Sequence, residues 1–357
     1  MKQRYELVPP AQPVTAAAVS GLWPRLVGLY GSADPRSLGL LRIALGVVLL
    51  VDVALKLPEV SSHLSNEGWL SNHFALFRPM SEHLFSVYFP FSSTNEVRLL
   101  MGLHLLVCAA LIVGWRTKLM QILALVLTTS LNSRNILIEN GGSVVLNIVL
   151  AWTVWLPLGQ RFSVDSVRAS LSARKETSEA ALNERLDPPR ALRPVVSLAV
   201  TGLLLQWVVI YAFNFVQKDG APWRDGTAVH YFLQQDRLVT WFGAWLRGVL
   251  PLGAIQALTY GTLAIEAALP LLLLSPWRSR QARLLALGLA VLLHGSIDCV
   301  LQLGSFSWAM TLGFLAFIPP QAWSWARRHV TARRTPVVVH FAPRSGASLA
   351  RCRLWRP

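Results

Sequence analysis

Charged residues are scarce in this chain of 357 residues: Asp, Glu, Lys and Arg together make up 14% of it, against 53% hydrophobic residues. Soluble domains carry roughly 25% charged residues, so this scarcity argues against a soluble protein. The mean hydropathy of +0.45 indicates several membrane-spanning helices. The predicted fold class is therefore all-α, a polytopic transmembrane helical bundle whose main partner is the lipid bilayer.

Cysteine is nearly absent, since Cys108, Cys299 and Cys352 are the only three. They form neither a Cys-x-x-Cys motif nor a disulfide framework. No set of Cys, His and carboxylate residues has the spacing of a metal site, and no Ser-His-Asp or phosphate-loop motif occurs. We therefore expect no metal. Residues 1–35 also lack a continuous apolar run, so we expect no cleavable signal peptide.

Basic residues are in excess, and the formal net charge is +15. They flank apolar runs and do not line one face, which argues against nucleic acid and agrees with the positive-inside rule. Eight runs are candidate spans: Leu38–Leu57, Arg98–Trp115, Leu119–Asn132, Ser143–Leu158, Val195–Val216, Leu252–Leu274, Leu284–Leu301 and Ser305–Ile318. With the N-terminus inside, 24 basic residues fall on the inner side and 7 on the outer side. We predict a multi-pass protein of the inner (plasma) membrane with both termini cytoplasmic.

The apolar region, residues 36–320, is interpreted as one transmembrane domain. It follows a cytoplasmic segment, residues 1–35, and precedes a basic cytoplasmic tail, residues 321–357. Two long outer connections, Pro58–Val97 and Gln217–Pro251, are rich in aromatic residues. Such aromatic density predicts interfacial helices on the outer side.

Ionisable residues inside apolar runs are functional candidates, because a charge in lipid is costly. Glu266 lies in the middle of the sixth run. His294 and Asp298 lie four residues apart in the seventh, and this spacing predicts that Asp298 orients the His294 imidazole. All three side chains are predicted to face the interior of the bundle, because polar groups in hydrocarbon need partners.

Two other polar features within the runs have plainer interpretations. Asp52 and Lys56 are four residues apart on one helix face, which predicts a structural ion pair. His104 is predicted to be a core histidine whose hydrogen bonds are satisfied by neighbouring residues.

Lys218 follows directly on the fifth apolar run and precedes a turn containing Gly220, Pro222 and Trp223. Two interpretations remain open for this position. The ammonium group can reach to the membrane interface as a simple anchor. Alternatively, an amine deprived of water at this boundary can act as a base in its neutral form.

Four motifs, taken in order, resemble the HTTM family, the membrane domain shared with vitamin K-dependent γ-carboxylase. They are Leu131–Gly142, Leu156–Asp165, the Lys-x-x-Ala-x-Trp-x-x-Gly frame of Lys218–Gly226, and Leu292–Ser296 followed by Gly304–Trp308. One motif differs from the family pattern. Near the segment where the carboxylase has an Asn-His pair, this chain has Asn140, Gly141 and Gly142 and no histidine. The resemblance implies a bacterial-type member of this family.

The resemblance also implies a chemistry and a set of site residues. Lys218 would be the base that deprotonates a reduced, vitamin K-like quinone, with His294 and Asp298 as further catalytic residues. Oxygenation would then give a stronger base that removes a glutamate γ-proton, so that CO2 can add and a carbon–carbon bond forms. The quinol pocket would contain Glu266, Trp223, Tyr211, Asn140 and Gly141.

Whether the chain is an enzyme stays open, because some bacterial members of the family act in the maturation or export of secreted peptides. The alternative is a non-enzymatic accessory factor for a secreted or periplasmic peptide. Others are fused to a thiol-disulfide oxidoreductase domain, and Pro336–Phe341 is interpreted as a vestige of such a thioredoxin-like domain. A transporter is disfavoured, because the two halves show no paired broken helices.

Overall fold

The structure, a computed structural model, describes residues 21–77, 85–135, 138–175 and 193–332. The first part contains α1 (Leu22–Tyr30), β1 (Ser32–Ala33), α2 (Pro35–Lys56), a π-helical turn (Val60–Leu64), α3 (Asn72–Phe77), α4 (Thr94–Val113), α5 (Thr117–Arg134), α6 (Gly141–Thr153), a 3-10 turn (Leu158–Gln160) and α7 (Val164–Lys175). The second contains β2 (Val195–Val196), α8 (Leu198–Val216), α9 (Ala221–Arg224), α10 (Ala228–Leu233), α11 (Trp241–Val249), α12 (Leu252–Leu274), α13 (Ser279–Val300), α14 (Phe306–Leu315) and α15 (Pro320–Ala332).

The described part of the chain folds as a predominantly helical membrane-embedded protein with almost no sheet. Among the described residues, five helices are long and apolar enough to cross a membrane: α2, α4, α8, α12 and α13. Two further apolar helices, α6 and α14, are shorter. The predicted all-α class is thus confirmed in its coarse form. Pro336–Phe341 lies outside the described residues.

The predicted helix boundaries differ from the observed ones where polar side chains or proline intervene. The fifth run was predicted from Val195, but Val195 and Val196 form a strand, and α8 begins after Ser197, whose side chain accepts a hydrogen bond from the Ala199 N–H (3.1 Å). The fourth was predicted to reach Leu158, but α6 ends at Thr153, four residues before Pro157. The eighth was predicted as Ser305–Ile318, but α14 covers only Phe306–Leu315.

Local signals account for the starts of the longest helices. Asp34 caps α2 by accepting a hydrogen bond from the Arg36 N–H (2.8 Å), and Pro35 occupies the first turn, where a missing N–H does no harm. A capping box of Ser93 and Glu96 starts α4. These caps satisfy backbone N–H groups that lipid cannot.

The short helix α14 lies at the centre of the bundle. It packs against α2, α6, α8 and α13, while α4 and α5 flank α2 and α6, and α12 lies between α8 and α13. Gly313 on α14 leaves room for the ring of Trp207, because a Cβ atom there would overlap the indole. The Trp207 indole N–H donates to the Met310 carbonyl (2.9 Å), which joins α8 to α14 inside the core.

A small antiparallel clasp joins the start of the chain to its middle. Ser32 pairs with Val196 and Ala33 pairs with Val195. The Ser197 N–H also donates to the Gly31 carbonyl (2.9 Å). The clasp therefore fixes the beginning of α2 next to the beginning of α8.

One side of the bundle is closed by a junction around Gly114, which ends α4 with φ +71°. A Cβ atom there would overlap the guanidinium of Arg42, which is fully buried and donates to the Phe162 carbonyl (2.6 Å). Asp165 accepts hydrogen bonds from the N–H groups of Arg116 (2.9 Å) and Thr117 (2.7 Å) and so caps α5. Burial acts to raise the pKa of Asp165, but these hydrogen bonds outweigh it and lower the pKa.

Short helices also occur in the second of the aromatic-rich connections, as predicted. The structure places α9, α10 and α11 there, and α11 exposes Trp241 (83% exposed) next to Trp245. Phe242 and Trp245 stack with their ring centroids 5.7 Å apart. Location of these helices at a membrane interface stays a prediction.

Candidate functional site

The half-buried Lys218 side chain forms an ion pair with the buried carboxylate of Glu266. Its Nζ contacts both carboxylate oxygens of Glu266, and the two side chains are 21% and 8% exposed. Lys218 follows the end of α8, where the Lys218 N–H still donates to the Phe215 carbonyl (3.2 Å). The Nζ also lies 4.8 Å from the ring centroid of Trp223, within range of a cation–π interaction. The structure thus joins Lys218, Glu266 and Trp223, three of the predicted site residues.

The segment after Lys218 is held against α12 by hydrogen bonds from α12 side chains to backbone carbonyls of the segment. The Tyr260 hydroxyl donates to the Arg224 carbonyl (2.7 Å), and the Gln256 amide donates to the Asp225 carbonyl (3.2 Å). Gly226 has φ +74°, and a Cβ atom there would lie 2.9–3.0 Å from Gln256 and Tyr260. Glycine at the end of the Lys218–Gly226 frame therefore permits close contact with the helix that carries Glu266.

Glu266 is presented by α12 next to a break in the hydrogen-bond ladder of that helix. Pro270 lies inside α12, four residues after Glu266. Because proline has no N–H, it cannot donate to the Glu266 carbonyl as an ordinary helical residue would. The Glu266 carbonyl therefore lacks its usual helical donor and is a second polar group beside the buried Glu266 carboxylate.

Tyr211 and His294 form a second buried polar pair. The Tyr211 hydroxyl lies 2.7 Å from His294 Nε2, and both side chains are buried. The ring of His294 meets Phe306 edge-on with centroids 5.8 Å apart, and the ring of Tyr211 lies 5.7 Å from Phe314. Tyr211 lies on α8, the helix that ends just before Lys218, and α8 packs against α12, which carries Glu266.

Asp298 does not orient His294, contrary to the prediction. Its Oδ2 instead accepts a hydrogen bond from the Trp308 indole N–H (2.9 Å) on α14. Tyr211 on α8 takes the position next to His294 Nε2. The prediction considered only the spacing along one helix, whereas neighbouring helices supply closer partners for both side chains. Glu266 and His294 are buried as predicted, but Asp298 is only half-buried.

Asn140 and Gly141 have a structural position beside the site. The Asn140 carboxamide caps α6 by accepting from the Ser143 N–H (3.1 Å). A Cβ atom on Gly141 would lie 3.3 Å from the ring of Phe306, and one on Gly142 would lie 2.6 Å from the Phe306 backbone nitrogen. These glycines let α6 approach the residue that packs on His294.

A separate polar cluster connects α2, α5 and α6. Lys56 Nζ lies 2.7 Å from Asp52, as predicted, and also donates to Asn132 (3.3 Å). The Asn132 amide donates to Asn147 (3.1 Å), a residue that sequence analysis missed because isolated Asn residues in apolar runs give no distinct signal. These hydrogen bonds satisfy polar groups within the helical bundle.

His104 is a core histidine, as predicted. The Tyr88 hydroxyl lies 3.4 Å from His104 Nδ1, and the Thr128 hydroxyl lies 3.2 Å from Nε2. Across the described ranges, no group of three or more His, Cys, Asp or Glu side chains is arranged to hold a metal.

A comparison with known proteins finds a distant relative. The chain is 26% identical over 235 residues to an uncharacterised protein, YitO, of Bacillus subtilis, and the match covers 62% of this chain and 68% of the relative. No family model matches the chain. No solved structure matches it either.

Proposed function

We propose that the protein is a membrane enzyme of the γ-carboxylase type, in which Lys218 is the base and a reduced quinone is the cofactor. It would act on a secreted or periplasmic peptide at the outer face of the inner (plasma) membrane. The observation that carries the proposal is the buried Lys218–Glu266 pair, flanked by Trp223 and adjacent to the Tyr211–His294 pair. Acid–base groups removed from water commonly form the sites at which enzymes transfer protons.

The partner of Lys218 explains how a charged amine can serve as a base. Transfer of one proton from Nζ to the Glu266 carboxylate leaves a neutral amine beside a neutral carboxylic acid. In surroundings of low polarity a neutral pair is less disfavoured, relative to an ion pair, than it is in water. Glu266 therefore has a defined role, which is to accept the proton that Lys218 must lose before it can take one from a substrate.

The residues around the two pairs fit a reduced quinone. Within the described part of the chain, His294 Nδ1 is buried and has no hydrogen-bond partner, and the aromatic rings of Phe306 and Phe314 surround the Tyr211–His294 pair. These groups would hold an aromatic ring that carries hydrogen-bonding oxygens. When bound, the reduced quinone would supply the oxygen-dependent strong base. Lys218 and Glu266 hold and move the proton, and Trp223 covers the Lys218 amine against water.

The proposed topology has eight membrane helices and cytoplasmic termini. Besides the five long helices, it uses α5, with 18 residues, and the shorter α6 and α14. At about 1.5 Å per residue, α5 is roughly 27 Å long, close to the ~30 Å of a hydrocarbon core. Lys118, Arg161 and Arg193 would then lie on the inner side with most other basic residues, and Lys218 at the outer side.

A non-enzymatic accessory factor is the second candidate. One observation favours it: Lys218 is already paired, as a purely structural lysine would be. The exposed face of α11, with Trp241 and Trp245, would then be the contact surface for a secreted peptide.

Replacement of Lys218 by arginine separates the two functions. Arginine can keep the ion pair with Glu266 but does not release its proton near neutral pH. The test supplies the purified protein in lipid nanodiscs with reduced quinone, oxygen, labelled bicarbonate and a glutamate-containing peptide, and measures label in the peptide. We expect Lys218→Arg to be stable and inactive.

Lys56→Arg is the matched control, because Lys56 also pairs with a carboxylate across a buried contact yet lies in the other polar cluster. It should retain activity. A fully active Lys218→Arg protein would contradict the role of Lys218 as base and would favour the accessory-factor function.

A further inference from the structure

A groove of about 310 Å³ opens on the side of the bundle between α2, α13 and α14. We call it the lateral groove. Its walls include Ala44 and Val48 from α2, Val291 and His294 from α13, and Ser307 and Trp308 from α14. Most of the lining is apolar, and the volume lies at the small end of the roughly 300–1,000 Å³ of ligand sites.

Two polar atoms of the lateral groove have no partner within the described ranges. They are His294 Nδ1 and Ser307 Oγ, and their side chains are 3% and 2% exposed. A buried donor or acceptor left without a hydrogen bond costs about 1–3 kcal/mol. Both residues line the same groove, so a molecule bound there would contact both residues.

If α13 spans the membrane, the lateral groove lies at a depth that lipid-soluble molecules reach. His294 is the sixteenth residue of the 22-residue helix α13, or roughly 23 Å from its start at about 1.5 Å per residue. Val291, next to the groove, is 52% exposed on a helix apolar enough to span a membrane. The opening of the groove therefore faces acyl chains.

We propose that the lateral groove binds the oxygen-bearing ring of a lipid-soluble quinone that enters sideways from the bilayer. The identity of the ligand rests on the proposed function, whereas the location rests on the groove itself. Trp308 supplies an aromatic wall, and its indole N–H is held by Asp298. When the Tyr211 hydroxyl donates to His294 Nε2, the hydrogen of the neutral imidazole is on Nδ1, which can donate to a ring oxygen.

The same histidine then connects the lateral groove to the rest of the site. Nε2 contacts Tyr211 on α8, the helix that packs against α12 and its Glu266, while Nδ1 is the nitrogen assigned to the groove. The isoprenoid tail of the quinone would remain in the bilayer, because the groove has room for the ring alone. His294 is thus a binding residue, and Asp298 positions the wall opposite it.

Two glycines on α13 provide a matched pair of variants. Gly295 lines the lateral groove, Gly288 lies two turns earlier on the same helix, and a Cβ atom at either position meets nothing within 4 Å. Leucine is a strong helix former, so neither replacement should harm folding. Gly295→Leu puts a side chain into the groove, whereas Gly288→Leu does not.

The experiment measures binding of radiolabelled decyl-ubiquinone to the purified protein in quinone-free nanodiscs, without turnover. We expect saturable binding by the parent and Gly288→Leu proteins, and at least a tenfold loss of affinity for Gly295→Leu. Excess unlabelled decyl-ubiquinone should displace the label, whereas decylbenzene and added phospholipid should not. Equal affinity of the two leucine variants would overturn the proposal, and so would displacement by decylbenzene or phospholipid.

Two substitutions of His294 test the role of each ring nitrogen. Asparagine places an amide near the position of Nδ1, and glutamine places one near Nε2. We expect His294→Asn to bind the quinone more tightly than His294→Gln, and the reverse order would contradict the assignment of Nδ1. Because binding is measured apart from activity, loss of carboxylation in Lys218→Arg with normal binding supports both proposals. An active enzyme whose Gly295→Leu variant binds normally would overturn only the groove.

Discussion

Glu266 is less exposed than its partner Lys218. We therefore expect removal of Lys218 to destabilise the protein more than removal of the Glu266 charge. Lys218→Met leaves the Glu266 carboxylate, 8% exposed, without its cation. Removing one partner of a buried pair costs about 3–5 kcal/mol of stability. Glu266→Gln leaves the more exposed Lys218 ammonium, which can turn toward water, so we expect a smaller loss of about 1–2 kcal/mol. The double variant removes both charges and should be more stable than Lys218→Met alone.

The assay is unfolding of all four proteins in one detergent, followed by thermal melting and by titration with a denaturing detergent. A double-mutant cycle then gives the coupling between the two side chains, which we expect to be about 2 kcal/mol or more. The refuting result is additivity, in which the double variant loses the sum of the two single losses. Such additivity would mean that the two side chains do not stabilise each other, and the proton exchange between them would lose its basis.

Three further predictions concern the rest of the molecule. The pKa of Asp165 is lowered in the folded protein, so its stabilisation is present above the ordinary value near 3.9 and is lost as pH falls through the lower folded value; melting between pH 2.5 and 7 should show this loss, and Asp165→Asn should remove it at a cost of about 1 kcal/mol. Gly114→Ala should cost about 3 kcal/mol or more, measured by thermal melting, because φ is positive and the Arg42 guanidinium occupies the space of the new methyl group. A reporter fused after Pro357 should read as cytoplasmic, and a periplasmic signal would contradict the assigned topology.

Hydropathy predicted where the helices lie better than where they end. The sixth apolar run, Leu252–Leu274, coincides with α12, because apolar residues dominate it over its whole length despite Glu266 and Pro270. The fifth run was extended too far, because Val195 and Val196 are as apolar as the helix that follows but pair with the strand at Ser32. Apolar composition does not distinguish a strand of two residues from the first turn of a helix.

Sequence alone singled out the residues of the candidate site but not the contacts between them. Lys218 and Glu266 stood out because ionisable residues are rare in apolar runs, yet they lie far apart in sequence, so their pairing required the packing of α8 against α12. Spacing along one helix paired Asp298 with His294 and missed Trp308 and Tyr211, which come from other helices. Local spacing specifies which side chains share a face, but neighbouring helices decide which partner each one takes.

The clasp between Ser32–Ala33 and Val195–Val196 imposes an order on biosynthesis. Its first strand leaves the ribosome early, whereas its second follows only after α2 and α4–α7 have been translated. Until then, the backbone N–H and C=O groups of the first strand lack their partner, a state that is costly away from water. A nascent chain stalled before residue 193 therefore carries an open clasp, which can close only when the segment before α8 has emerged. The strand before α2 thus depends on a partner that is translated only after α7.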